Sequence, residues 1–203
     1  MNINNTNNLV WSVGKVSFEN KCEILKQKGI VIWFTGISGS GKSTIAIEVE
    51  NELMKLGKLA YRLDGDNIRH GLCSDLGFSE EDRNENIRRI AEVSALFRDA
   101  GLITLVAFIS PYKKMREYAK ERIGKGYFFE VYVKADLDIC VKRDPKGLYE
   151  KAVRGEIQNF TGISSPYEEP HNPDLILDTG KMSVCDCTEK VLQLILKNLE
   201  KGV

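Results

Sequence analysis

From residue 29 onward the chain alternates between short apolar runs and longer amphipathic stretches. Five runs rich in β-branched or aromatic residues stand out, at 30–35, 59–63, 103–109, 128–133 and 175–177. Runs of this length, bounded by polar and glycine-rich segments, read as strands. Stretches with helical spacing separate them, at 42–56, 80–100, 115–123 and 138–143, and 188–199 closes the chain. In 80–100, Ile87, Ile90, Ala91, Ser94 and Phe97 recur on one face with the 3.6-residue period. Strands alternating with helices build right-handed βαβ units. The pattern therefore predicts an α/β fold: a five-stranded parallel sheet with helices on both faces. In such sheets ligands bind beyond the carboxyl ends of the strands, which directs attention to the residues that end each run.

Before residue 29 the pattern is different. Residues 1–8 are polar and Asn-rich, the composition of a disordered tail, and 9–28 read as a short arm with some helix. The expected organisation is a tail and arm over 1–28 and one domain over 29–203. No repeat, linker or low-complexity break interrupts the latter.

Composition narrows the partners. Hydrophobic residues make up 42% of the 203 and charged residues 29%, which suits one soluble domain with a core of its own. Lys plus Arg and Asp plus Glu number 29 each, so the formal charge is zero. A duplex-binding domain would carry a basic excess, so no nucleic-acid partner is expected. No apolar run is long enough to cross a bilayer, and the first residues lack the basic and apolar stretches of a secretory signal. The expectation is a cytoplasmic protein with no membrane partner, in which the sequons at Asn4 and Asn159 stay unmodified. Cys22, Cys73, Cys140, Cys185 and Cys187 then read as reduced thiols. Cys185 and Cys187 lack a nearby His or second Cys pair, so they read as helix-start residues rather than a metal site.

The first run enters Gly36-Ile-Ser-Gly-Ser-Gly-Lys-Ser-Thr44, and a helical stretch leaves it. Gly36-x4-Gly41-Lys42-Ser43 is the phosphate-loop pattern in its proper strand–loop–helix context. Glycines let successive N–H groups point inward and cradle phosphate oxygens, and the helix N-terminus adds partial positive charge. Lys42 would reach the outer phosphates, the Ser43 hydroxyl would ligate Mg²⁺, and Thr44 would support them. The base-reading Asn-Lys-x-Asp of a switch GTPase is absent, and the nearest Walker B candidate, 59–64, is interrupted by Arg62.

The second run ends in Asp64-Gly-Asp-Asn67. Two carboxylates at a strand end suit phosphoryl transfer, one toward Mg²⁺ and the other to accept a proton from an attacking hydroxyl. An acidic helix cap would need only one such residue. His70 reads as a capping or packing residue. The third run ends at Ile109-Ser110-Pro111, with Pro111 expected at the first position of a helix. Ser110 reads either as an N-cap or as a substrate contact.

Further segments make the pattern specific: Leu63-Asp-Gly-Asp-Asn-Ile-Arg-His-Gly-Leu72, Asp75-Leu-Gly-Phe-Ser79, Asp82-Arg-Asn-Glu-Asn-Ile-Arg-Arg89, Phe97-Arg-Asp-Ala-Gly101, Ala107-Phe-Ile-Ser-Pro-Tyr112, Arg143-Asp-Pro-Lys-Gly-Leu-Tyr149 and Asn159-Phe-Thr-Gly-Ile163. With the phosphate loop, and in this order, they resemble the adenylylsulfate kinase family over residues 29 to about 179. The resemblance implies a phosphate-loop kinase with a mobile lid at about 143–163. It implies transfer of the ATP γ-phosphate to the 3′-hydroxyl of adenylyl sulfate in sulfate assimilation, with Mg²⁺ and usually as a homodimer. By resemblance, Asp66 is the general base and Asp64 the Mg²⁺-side carboxylate, with Ser43 as the other metal ligand. ATP is held by Gly36, Ile37, Ser38, Gly39, Ser40, Gly41, Lys42, Ser43, Thr44 and Arg143. Adenylyl sulfate is expected to meet Asp66, Arg69, Arg83, Asn86, Ile109, Ser110, Lys146 and Leu148, with Phe78 and Phe160 sandwiching its adenine. Guanidinium groups suit its oxyanions, and Arg83 and Asn86 share a helix face by their spacing. Spacing alone would place both phenylalanines in the core. Ser110 matches a family serine once proposed to be phosphorylated; in-line transfer needs no such intermediate, so substrate contact is the expected role. The arm over 11–28 matches the family only loosely. No sulfurylase segment is present, so the stand-alone form is expected.

Overall fold

The computed structural model describes residues 9, 10 and 12–200. The Asn-rich segment 1–8, with the Asn4 sequon, and Trp11 lie outside the described residues. Five strands, β1 (Ile30–Thr35), β2 (Ala60–Asp64), β3 (Ile103–Ala107), β4 (Phe128–Lys134) and β5 (Leu175–Asp178), form one sheet in the order β2-β3-β1-β4-β5. Every pairing is parallel. Each strand lies within two residues of its apolar run. The helices are α1 (Phe18–Leu25), α2 (Lys42–Lys55), α3 (Gly65–Arg69), α4 (Glu80–Asp99), α5 (Lys113–Ile123), α6 (Leu137–Arg143), α7 (Leu148–Val153) and α8 (Val184–Leu199).

The continuous apolar character of β1 follows from burial on both faces. Ile30, Ile32 and Phe34 pack with Ile45 and Val49 of α2 and Val191 and Ile195 of α8. Val31 and Trp33 point the other way, toward Ile87 and Ile90 of α4 and Met115 and Ala119 of α5. A third, smaller cluster joins Cys140, Tyr149, Ala152 and Phe160 beside the sheet. The chain leaves β1 toward β2 on one side and leaves β3 toward β4 on the other. This reversal opens a crevice beyond the carboxyl ends of β1 and β3.

Several boundaries differ from the reading of the sequence, each for a local reason. β3 ends at Ala107 rather than at 109, and the chain turns through Ser110, whose φ is +40°. Pro111 is not the first residue of a helix: α5 begins at Lys113 with Tyr112 as its N-cap. Ser110 is therefore not an N-cap. The short α3 begins at Gly65, with Asp64 as N-cap accepting from the Asp66 N–H at 3.1 Å. α8 begins four residues early, at Val184, because Ser183 and Asp186 form a capping box. Cys185 and Cys187 lie in its first turn, as read, and no metal-ligating cluster occurs among the described residues. No described helix is long and apolar enough to cross a membrane.

The arm folds as α1 and docks at the amino ends of the strands. Gln27 donates to the carbonyls of Leu59 (2.8 Å) and Gly101 (2.9 Å) and accepts from the Leu59 N–H (2.8 Å). Lys21 pairs with Asp99 at 2.6 Å. These contacts place α1 at the end of the sheet opposite the crevice.

Candidate active site

One cavity of about 1030 Å³ lies at the carboxyl ends of the strands. Its floor begins with the glycine loop. The backbone there takes conformations that favour glycine, with φ of +150° at Gly36, +73° at Gly39 and +101° at Gly41. At Gly36 a Cβ would stand 2.4 Å from the Val133 carbonyl oxygen, so only hydrogen fits. Gly36→Ala is expected to cost about 1–3 kcal/mol through this clash and to weaken triphosphate binding; thermal denaturation with and without an ATP analogue checks both.

The carbonyls of this loop are held one by one. Lys42 Nζ donates to Gly36 O (2.8 Å) and Ile37 O (2.7 Å). Tyr149 Oη donates to Ser38 O at 2.8 Å. Arg143 Nη1 donates weakly to Gly39 O at 3.4 Å, and Thr179 Oγ1 donates to Ser40 O at 2.9 Å. In a trans peptide the C=O and N–H point in opposite directions. Fixing five successive carbonyls therefore fixes the N–H groups that follow them, the arrangement an anion cradle needs. Ser38, Gly39, Gly41, Lys42, Ser43 and Thr44 line the cavity, whereas Gly36, Ile37 and Ser40 form the back of the loop. Burial drives the Lys42 ammonium down to about 8, with nearby Asp64 and Asp66 opposing the shift.

Both carboxylates at the carboxyl end of β2, Asp64 in its last position and Asp66 two residues on, line the cavity in different settings. Asp64 is only 6% exposed. Its Oδ1 caps α3, and the Arg62 guanidinium approaches Oδ2 to 3.2 Å. That approach is out of hydrogen-bond alignment, and Oδ2 is buried with no hydrogen-bond partner among the described residues. Arg62, the residue that interrupts the Walker B pattern, is itself steadied by Glu50 of α2, which accepts its backbone N–H at 3.0 Å. Asp66 is exposed to the cavity and ion-paired with Lys146.

The opposite wall comes from α4 and the loop before it. Arg83 and Asn86 are both buried on one face of α4. Arg83 donates to Phe78 O (3.0 Å), to Thr161 Oγ1 (2.9 Å) and to Asn159 O, which ties α4 to the 159–161 segment. Asn86 Oδ1 is buried without a hydrogen-bond partner among the described residues, an acceptor that a ligand donor can meet. Arg69 donates to Leu76 O (3.0 Å) and Gly77 O (2.9 Å), and its guanidinium lies 4.3 Å from the Phe78 ring centroid. Arg89 grips Asp75 with two bonds, at 2.6 and 2.8 Å, and so holds the same loop to α4. Phe78 is thereby presented to the cavity while 56% exposed, so it is not a core residue. Phe160 does both: it lines the cavity and packs edge-on against Tyr149, with centroids 5.0 Å apart.

Ile109, Ser110, Arg143, Lys146 and Leu148 also line the cavity. Ser110 is 2% exposed, its Oγ accepts from Trp33 Nε1 at 3.0 Å, and its carbonyl accepts from Arg116 at 2.7 Å. Arg143 is tied to Thr179, through Nη1 to Oγ1 (3.0 Å) and Nη2 to the carbonyl (2.6 Å). Within 143–163, Asp144 accepts from the N–H groups of Leu148, Tyr149 and Glu150, closing the first turn of α7. His70 is the C-cap residue of α3 and also lines the cavity.

Reading the sequence missed Tyr149, Thr179 and Asp144. Tyr149 and Asp144 stood in a quoted segment, but no spacing rule shows which carbonyl a tyrosine will reach.

Comparison with known proteins agrees with this geometry. A family model described as adenylylsulphate kinase matches residues 28–178. The adenylyl-sulfate kinase of Bacteroides thetaiotaomicron is 58% identical over 183 residues, 90% of this chain and 91% of that protein. That of Prochlorococcus marinus is 55% identical over 195 residues, 96% of this chain and 97% of its own. A solved Mycobacterium tuberculosis APS kinase, in complex with AMPPNP and APS, is 49% identical and superposes with a TM-score of 0.80, covering 83% of this chain and 98% of that one. The strand order, the phosphate loop and the segments around the cavity converge on one assignment: this chain belongs to the adenylylsulphate kinase family.

Proposed function

We propose that this protein transfers the terminal phosphate of ATP to the 3′-hydroxyl of adenylyl sulfate, giving ADP and 3′-phosphoadenylyl sulfate for sulfate assimilation. One observation carries the reading. A single cavity of about 1030 Å³, at the top of the range for one small ligand, holds a triphosphate cradle and an aromatic, arginine-bearing wall together. The cradle and Lys42 take the triphosphate, with Arg143 and Thr179 bracing the loop from the side. Phe78 and Phe160 offer ring faces and edges to adenine, and Arg69 and Arg83 bring positive charge to the phosphate and sulfate.

Asp66 accepts the proton of the attacking hydroxyl. It is the carboxylate open to the cavity, and Lys146 orients it from the lid side. Ser43 and Asp64 are the residues that would hold Mg²⁺. Both offer the hard oxygen donors it takes, and Asp64 Oδ2, which accepts no hydrogen bond among the described residues, fits such a role with Arg62 beside it. When bound, Mg²⁺ supplies charge neutralisation on the phosphate oxygens. The segment over 143–163 acts as a lid, whose closure excludes water as a competing acceptor. We assign Ser110 to positioning the acceptor, because its hydroxyl is engaged by Trp33.

A coupled ADP-release assay tests the reading. ADP formation should depend on adenylyl sulfate; stimulation by AMP or a sugar instead would replace the substrate. Ser110→Ala should keep turnover within about tenfold of the parent, and a complete loss would restore the phosphoserine reading. The cytoplasmic location and the homodimer belong to the same proposal. Sedimentation of a lone protomer at micromolar concentration would remove the dimer.

A further inference from the structure

Tyr149 stands outside the cavity yet touches both of its halves. It is 1% exposed, in the first turn of α7, where Asp144 accepts its backbone N–H at 3.0 Å. Its hydroxyl donates to Ser38 O at 2.8 Å. Its ring meets the Phe160 ring at 5.0 Å with an interplanar angle of 78°. Burial pushes its phenol up, so it remains a donor across the working pH range. The Ser38 carbonyl and the Gly39 N–H share one planar peptide unit and point opposite ways. The hydroxyl therefore sets the direction of a cradle N–H, while the ring sets the position of an aromatic wall.

We propose that Tyr149 is the positioning residue that couples the triphosphate half of the site to the adenylyl sulfate half. This rests on the substrate reading given above. A triphosphate that draws the Gly39 N–H into register draws the Ser38 carbonyl, Tyr149 and Phe160 with it, so each ligand prepares the site of the other. By linkage the effect is reciprocal. The hydroxyl is the connecting element, because the ring alone would stay packed against Phe160 whether or not the loop moved.

Tyr149→Phe deletes that element and keeps the ring. Calorimetric titration of adenylyl sulfate into the full chain, with and without saturating AMPPNP, reads the coupling as a ratio of dissociation constants. The parent is expected to show tightening of about 5- to 150-fold. The variant should show a ratio within about twofold of unity, with affinity for adenylyl sulfate alone nearly unchanged. A residue that merely supports the fold would leave the ratio at its parental value, and that result overturns the proposal. So does a parent ratio of one. A parent that binds no adenylyl sulfate at all would instead remove the substrate reading, and the coupling with it. Should the Tyr149→Phe chain fail to fold by circular dichroism, Phe160→Leu breaks the same path from the ring side and must lower the ratio too.

Discussion

Asp66→Ala is expected to lower kcat by about 10²- to 10⁴-fold, the contribution of a positioned general base, while the affinity for an ATP analogue changes by less than about threefold. The asymmetry follows from where the two carboxylates stand. Asp64 is buried, caps α3 and has Arg62 beside it, so its loss would disturb the fold and the phosphate end together. Asp66 is exposed to the cavity, and its side chain makes its ion pair only with Lys146 among the described residues. Removing an exposed pair of this kind costs little stability, so a fall in rate can be read as chemistry. Asp66→Asn sharpens the measurement, because it keeps the size and a hydrogen-bond acceptor but cannot take the proton. Single-turnover quench assays on both variants separate the transfer step from product release. A rate within tenfold of the parent in both would mean that another group, or water, accepts the proton.

The elements that position Asp66 were legible in the sequence; its surroundings were only partly so. Strand β1 was legible to the residue, because burial on both faces leaves an unbroken apolar run from Ile30 to Phe34. The loop was legible because its glycines answer a backbone requirement that no other residue meets. Arg62 looked like a flaw in a strand and proved to be the counter-charge beside Asp64. Tyr149 reaches Ser38 across 111 positions, and Arg143 reaches Thr179 across 36. Contacts of that range depend on how α6 and α7 lie over the loop, which no local period records. Phe78 and Phe160 looked alike in the sequence, yet one is held out by Arg69 and the other is tucked against Tyr149.

Lys42→Ala should be damaging in a different way, lowering both the affinity for the ATP analogue and kcat, each by at least about tenfold. Lys42 is buried within the loop, and its ammonium binds the Gly36 and Ile37 carbonyls. Its loss frees those carbonyls and removes the one lysine among the residues that form the loop. The parent protein also carries a signature in pH. Burial lowers this lysine from an ordinary 10.5 to about 8, so the free protein loses the charge as pH rises through 8. Triphosphate binding favours the charged form; the dissociation constant of the analogue should therefore rise above pH 8, approaching tenfold per pH unit. Stability moves oppositely. Between about 8 and 10.5 the unfolded chain holds a proton that the folded chain has released, so this group's contribution to stability increases with pH across that window. Affinity and stability running in opposite directions between pH 8 and 10, and both trends absent in Lys42→Met, would tie the effect to this ammonium. Parallel trends, or trends that survive in the variant, would place the titrating group elsewhere.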